Sequence, residues 1–324
     1  MGTKKKKIEI DTHIKALLGM MAFVLILMAI LKGDTYFTIP NLRSMFFQFP
    51  EYGILTLGMM MCMIAGGIDL SLVGIMNLSG VVCALIIKNM GGTGISIAVG
   101  IVAALLVGAA CGSFNGFIIG SLNIPAMLVT LCGLELYSGL ALAITGGPAI
   151  NNLPDAFKNI ANGSVGAIPI VIFIFIAVLL IVTFIMKCTV FGHEIYYIGS
   201  NSRAAKYSGI NNLKVTIMTY MCSGILGGIA GVVITSHLNS AKSSNGSSYT
   251  TLSLLIAVLG GINPDGGEGK VSGVVLSILL LQLVANAFTI MRAPDTTRTL
   301  VNGCLLVFAL IIDKITVARK AKLG

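Results

Sequence analysis

The chain has 324 residues, of which 56% are hydrophobic and 10% charged, and its mean hydropathy is +0.96. A soluble domain carries about 25% charged residues, so a water-soluble globular enzyme is excluded, and disorder is excluded by the hydrophobicity itself. The net charge of +9 sits in short loops beside apolar runs, which is a membrane-orientation pattern; no basic stripe with interleaved aromatics suggests nucleic acid.

The apolar runs are unbroken rather than alternating, which selects helices over a transmembrane β-barrel. The expected fold is all-α: a polytopic membrane protein with about ten transmembrane helices. In chain order the segments are 15–31, 52–66, 72–88, 95–119, 124–145, 167–186, 215–236, 250–261, 271–291 and 297–313. The second and eighth are short. Lys4, Lys5, Lys6 and Lys7 precede the first, as in a signal peptide, but no small-residue cleavage site follows Leu31. It therefore reads as an uncleaved first helix. With the N-terminus inside and one crossing per segment, fourteen of the 21 Lys and Arg residues fall on the inside. That bias places both termini in the cytoplasm. The organisation is then a basic N-terminus (1–14), one transmembrane domain (15–313) and a basic C-terminus (314–324). The long loops are 146–166 outside and 187–214 inside.

Seven cysteines (62, 83, 111, 132, 188, 222 and 304) form no C-x-x-C pair. They read as small membrane residues, with no metal site or disulfide framework.

Glycine spacing is the first signal within the segments. Gly100, Ala104, Gly108, Gly112, Gly116 and Gly120 recur every fourth residue. Gly224 and Gly228 repeat the pattern, offset from Gly227 and Gly231. Small faces of this kind let helices pack closely in lipid. Polar residues at membrane depth are the second signal: Asp69, Asn77, Asn115, Thr130, Glu135, Gln282 and Asn286. A membrane carboxylate is costly and should face a partner or a cavity. Asp69 is expected to cap a helix starting near Leu70. For Glu135, an internal hydrogen bond and a place on a translocation path are equal alternatives. All seven are candidate path residues.

The third signal lies in the inside loop. Arg203 to Tyr207 suits a short helix, with Ser202 as N-cap and Gly209 just past its end. Ala204 and Ala205 are expected to be exposed there and to fit a partner's groove. The fourth is Gly260-Gly261-Ile262-Asn263-Pro264-Asp265-Gly266-Gly267-Glu268-Gly269-Lys270. It is not a phosphate-binding loop: Pro264 and Val271 stand where Gly and Ser or Thr are required. Any ATP that drives this protein must bind another chain. Gly66-Gly67-Ile68-Asp69 before Ser79-Gly80, and Gly260-Gly261-Ile262-Asn263 before Ser272-Gly273, suggest a parallel internal repeat.

Four stretches in order resemble the permease subunit of bacterial ABC sugar importers, the ribose-permease-like family. They are Gly66-Gly67-Ile68-Asp69-Leu70-Ser71; Ile124-Pro125 through Thr130 to Gly139 and Ile144-Thr145-Gly146-Gly147; Gly192 through Ile210; and the glycine loop at 260–273. The likeness runs from about Gly53 to Asp313. Ser138, Asn263 and Pro264 depart from the family pattern. The resemblance implies an importer permease fold in the bacterial inner membrane and no enzyme activity on this chain. It implies a cytoplasmic ATPase subunit holding ATP and Mg, an extracytoplasmic sugar-binding protein, and a second permease copy or related permease. This chain would bind no cofactor and no metal. The ATPase would couple through Gly192, His193, Glu194, Ile195, Tyr196, Gly199, Asn201, Ala204, Ala205, Ser208 and Gly209. The cargo would be a monosaccharide or related polyol. Alternatives are a branched-chain amino-acid or nucleoside ABC permease, an ion-coupled secondary transporter relying on Asp69 and Glu135, and a membrane-embedded enzyme.

Overall fold

The structure is a computed structural model that describes residues 12–166, 168–294 and seven positions between 296 and 307. The helices are α1 (Thr12–Tyr36), α2 (Ile39–Ile64), α3 (Leu72–Asn89), α4 (Gly94–Leu122), α5 (Ala126–Thr145), α6 (Asp155–Asn162), α7 (Ile170–Cys188), α8 (Val190–Ser200), α9 (Ser202–Tyr207), α10 (Asn212–Leu238), α11 (Tyr249–Leu259) and α12 (Val271–Ile290). Four two-residue strands join loops: β1 (Ile150–Asn151) pairs antiparallel with β4 (Ser240–Ala241), and β2 (Ser164–Val165) with β3 (Ile168–Pro169).

Local chemistry sets the helix ends. The Thr93 hydroxyl accepts from the Ser96 amide at the start of α4, and the Asn211 side chain accepts from the Lys214 amide at the start of α10. Both supply bonds to otherwise orphaned amides. Asn123 and Asn239 close the same two helices in the left-handed conformation, and Gly146 closes α5. α1 breaks helical geometry at Lys32, where the first apolar segment ends.

Among the described residues, seven helices are long and apolar enough to cross a membrane: α1, α3, α4, α5, α7, α10 and α12. The expected count of ten is not confirmed, and three segments account for the difference. The second segment, expected to be short, belongs to the 26-residue α2, about 39 Å long, whose upstream half carries Arg43, Pro50 and Glu51. The eighth is the 11-residue α11, about 16 Å long, which cannot cross a core of about 30 Å alone. The last, 297–313, lies largely outside the described residues, as do both charged ends.

The core forms around α2, α3 and α10. Every residue from Phe49 to Ile64 is buried, as suits a helix apolar on all sides. The apolar side chains of α1 are mostly exposed, as befits contact with lipid. Two glycine seams bring backbones together. On α4, a Cβ at Gly108 or Gly112 would overlap the Gly224 or Tyr220 carbonyl of α10, and one at Gly116 would sit 2.7 Å from Ile217 Cα. On the other face of α10, Gly231 meets the Met76 carbonyl of α3, and Gly227 meets Ile75. Gly228 approaches Ala104 on the α4 side.

The two Gly-Gly pairs expected to mark a repeat both follow helix ends. Ala65 and Gly260 cap α2 and α11, and Gly66 and Gly261 follow with φ of +87° and +79°. The next amides, Gly67 and Ile262, bond back to the Cys62 and Ala257 carbonyls. Both are Schellman turns, a form that also ends α3 at Gly91 and α9 at Gly209. The structural register pairs Gly66 with Gly261, one residue away from the pairing expected from sequence.

Candidate functional site

The segment after α7 is folded tightly onto the bundle. The Thr189 hydroxyl accepts from the Gly192 amide and donates to the Ile185 carbonyl, turning α7 into α8. Gly192 has no room for a Cβ against the Ile185 and Met186 carbonyls. Ile195 and Ile198 point into the core. His193 is exposed, its ring nitrogen 2.8 Å from the Thr189 carbonyl, and Glu194 is half-buried. The Tyr196 hydroxyl donates to the Gly269 carbonyl at 3.0 Å; burial pushes its phenol up, so it keeps the proton that makes this bond. Gly199 lies against the Ile64 carbonyl and the Gly267 amide with no space for a side chain. The end of α8, the end of α2 and the loop before α12 therefore meet backbone to backbone.

The short helix is present, with two corrections. Its N-cap is Asn201, whose Oδ1 accepts from the Arg203 and Ala204 amides at 3.1 and 3.0 Å; Ser202 is already inside it. Asn has two acceptor lone pairs on one rigid arm and serves both amides. Ala205 is 4% exposed, because it faces the bundle; only Ala204 faces out. Gly209 takes φ of +87° beyond Ser208, whose hydroxyl donates to the Ala204 carbonyl. Tyr207 is 92% exposed on this turn. Nothing in its spacing distinguished it.

Asp69 is fully buried beyond the end of α2. Its Oδ1 accepts from the Ser71 amide at 3.1 Å and the Ser71 hydroxyl at 2.5 Å; its Oδ2 accepts from Ser223 of α10 at 2.7 Å. It thus satisfies one amide at the start of α3, but that helix begins at Leu72 with Ser71 at the N-cap position, so Asp69 is not its N-cap. The Asn115 amide of α4 donates to the Ser71 hydroxyl at 2.8 Å, and the Tyr137 hydroxyl of α5 donates to Asn115 Oδ1 at 2.7 Å. Thr130 of α5 donates to the Ile68 carbonyl at 2.8 Å. Asp69, Asn115 and Thr130 are thus members of one network that ties the 66–71 loop to α4, α5 and α10. Ser71, Ser223 and Tyr137 were missed, because each reads as an ordinary small or aromatic residue until the helices meet.

A second buried carboxylate, also missed, lies toward the other end of α2. Glu51 is 3% exposed; one oxygen meets His237 Nδ1 of α10, and the other accepts from the Tyr249 hydroxyl of α11 at 2.8 Å. It stands one residue before the 52–66 segment and was read as lying outside it. The signal was the buried spacing Met45, Phe49, Tyr52, which carries the helix back through Pro50. Gln282 accepts from the Tyr52 hydroxyl at 2.5 Å, Asn286 donates to Asn41 at 3.0 Å, and Asn77 donates to the Ser243 carbonyl at 2.8 Å. These three tie helices and loops together in different places and do not converge with Asp69.

Glu135 is elsewhere again. It is exposed on α5 and has no hydrogen-bond partner among the described residues, so the internal bond offered as one alternative is not made. One turn away, a groove of about 480 Å³ runs between α4 and α5, walled by Phe114, Ile118, Leu128, Cys132 and Leu136, with buried Asn115 at its floor.

Residues 41–310 match the family model described as the permease component of branched-chain amino acid transport systems. The chain belongs to this family. It is 30% identical to the L-arabinose transport system permease protein of Escherichia coli, over 86% of this chain and 83% of that one. It is 29% identical to the autoinducer 2 import system permease protein of Yersinia pseudotuberculosis, over 92% and 91%. The autoinducer 2 permease of Photorhabdus laumondii is 32% identical, over 80% and 78%. No solved structure matches. With seven apolar spans, this member of the permease family is a multi-pass protein of the bacterial inner membrane.

Proposed function

We propose that this chain is the transmembrane subunit of an ATP-driven importer for a monosaccharide or related polyol, with residues 189–210 as its coupling surface. One observation carries the reading: α9 presents Tyr207 at 92% exposure on a turn fixed by the Asn201 cap, while the preceding helix is seated on the core through Gly199. A projecting aromatic on a rigid turn costs little entropy to bury and is the kind of anchor that dominates protein interfaces. Backbone contact behind it would carry force inward. ATP and Mg sit on the partner ATPase in this reading, an extracytoplasmic binding protein delivers the cargo, and two permease copies form the path. The relatives named for L-arabinose and autoinducer 2 support a small polyhydroxylated cargo.

The test is affinity purification in mild detergent. A stoichiometric ATPase is expected with the wild-type chain. Tyr207→Ala and Ala204→Glu are each expected to reduce its recovery about tenfold, consistent with the loss of about 1.4 kcal/mol or more from an interface anchor, at unchanged membrane levels. Full recovery of the ATPase with both variants would remove 189–210 as the coupling surface. For the cargo, the associated binding protein is expected to be stabilised by pentoses or hexoses. Stabilisation by leucine or by nucleosides instead would favour the other importer branches.

A further inference from the structure

The surface formed by α8 and α9 and the groove between α4 and α5 are joined by an unbroken set of contacts. Gly199 touches the Ile64 carbonyl and the Gly267 amide, and Gly267 N–H donates to the same carbonyl at 2.9 Å. Gly66 in turn lies against Gly199 and Gly266. These are backbone contacts, with no flexible side chain between to absorb a displacement. From Gly66 the loop runs five residues on to Ser71. Over that stretch it is held by α5 through Thr130 on the Ile68 carbonyl, by α10 through Ser223 on Asp69, and by α4 through Asn115 on Ser71. Asn115 is the floor of the groove. Close-packed interiors are poorly compressible, so a shift applied at one end of such a set moves the other or breaks a bond.

We propose that Asp69 is a positioning residue: by binding Ser71 and Ser223 together it makes the 66–71 loop a rigid link between the coupling segment and the α4–α5 groove, so that nucleotide-driven movement of 189–210 reshapes that groove. The proposal rests on the function argued above and adds the internal route by which the partner acts. Asp69, Ser71 and Asn115 then serve transport without touching cargo.

A native reporter stands in the groove. Cys132 is exposed there, and its reaction with N-ethylmaleimide can be followed by peptide-level mass spectrometry. The experiment uses the complex of the full chain with its co-purified ATPase, with and without ATP and vanadate. In the wild type, trapping is expected to change the Cys132 labelling rate at least threefold. Asp69→Asn, which keeps the volume, and Ser71→Ala are expected to hold that change below about 1.5-fold while ATP hydrolysis continues. Ser71→Thr, which keeps the hydroxyl, is expected to preserve it. Wild-type-sized changes in Asp69→Asn and Ser71→Ala would overturn the proposal, and so would an unresponsive Cys132 in the wild type. Hydrolysis, labelling response and thermal stability all falling in parallel would also overturn it, as the mark of a packing role alone. Failure of any ATPase to accompany the wild-type chain would instead sink the underlying function.

Discussion

Replacing Gly224 by leucine is expected to leave no folded protein. At Gly224 the α10 backbone meets the α4 backbone, and an added Cβ would overlap the Gly108 carbonyl and sit 3.0 Å from Gly112 Cα. The obstructing atoms are main chain on a facing helix, so no rotamer change relieves them. Overpacking a core costs about 1–3 kcal/mol where side chains can yield; here the helices themselves must separate. That breaks a seam that also includes Gly116 against Ile217 and Gly228 against Ala104. In lipid no hydrophobic drive compensates, because the packing itself is the attraction. The expected readout is loss of the monodisperse peak in size-exclusion chromatography of detergent extracts. Two controls grade the effect. Gly227→Ala meets the Ile75 methyl at 3.2 Å and the Leu72 carbonyl at an ordinary 3.4 Å, and should lower the melting temperature slightly. Gly19→Leu on α1 meets nothing within 4 Å and should stay within about 0.5 kcal/mol of wild type. A stable, monodisperse Gly224→Leu protein would show that the α4–α10 contact is not required.

Glu51→Ala is expected to be the most damaging polar substitution, at about 3 kcal/mol, because it leaves two hydrogen-bonding partners unpaired at once. It strips the partner from His237 of α10 and Tyr249 of α11 together, unfastening both from α2. Glu51→Gln should cost less, since an amide can still accept from Tyr249. Combining Glu51→Gln with His237→Gln in a thermal-denaturation cycle should be markedly non-additive, because the two side chains act as one unit. Strictly additive losses would mean that the pair contributes nothing beyond its separate parts.

These two predictions differ in how far the sequence foreshadowed them. Gly108, Gly112, Gly116, Gly224 and Gly228 were visible as small faces because four-residue spacing is a local helical property. Which helix each face meets was not visible, since that depends on chain segments about a hundred residues apart. Glu51 was hidden differently: it stands just before the 52–66 segment, beside Pro50, yet α2 continues through both. In residues 189–210, the short helix and Gly209 were legible from cap chemistry. The Asn201 cap was displaced by one residue, and Ala205 was assigned to the wrong side, because a six-residue helix carries too little periodicity to orient itself.

The sequence by itself determined the class: unbroken apolar runs need lipid, and lipid demands that each backbone group be bonded within its own helix. It also determined the helix ends, through Asn, Gly and Thr caps acting over three or four residues, and the family, through ordered short motifs. Only the tertiary structure decided what the polar residues do. Asp69, Asn115 and Thr130 proved to be one network and Gln282, Asn286 and Asn77 separate ties, while Glu135 faces outward. A hydrogen bond between Asp69 and Ser223 spans 154 residues of sequence. No pattern along the chain encodes such a meeting; it exists only once glycine seams have drawn α10 against α3 and α4.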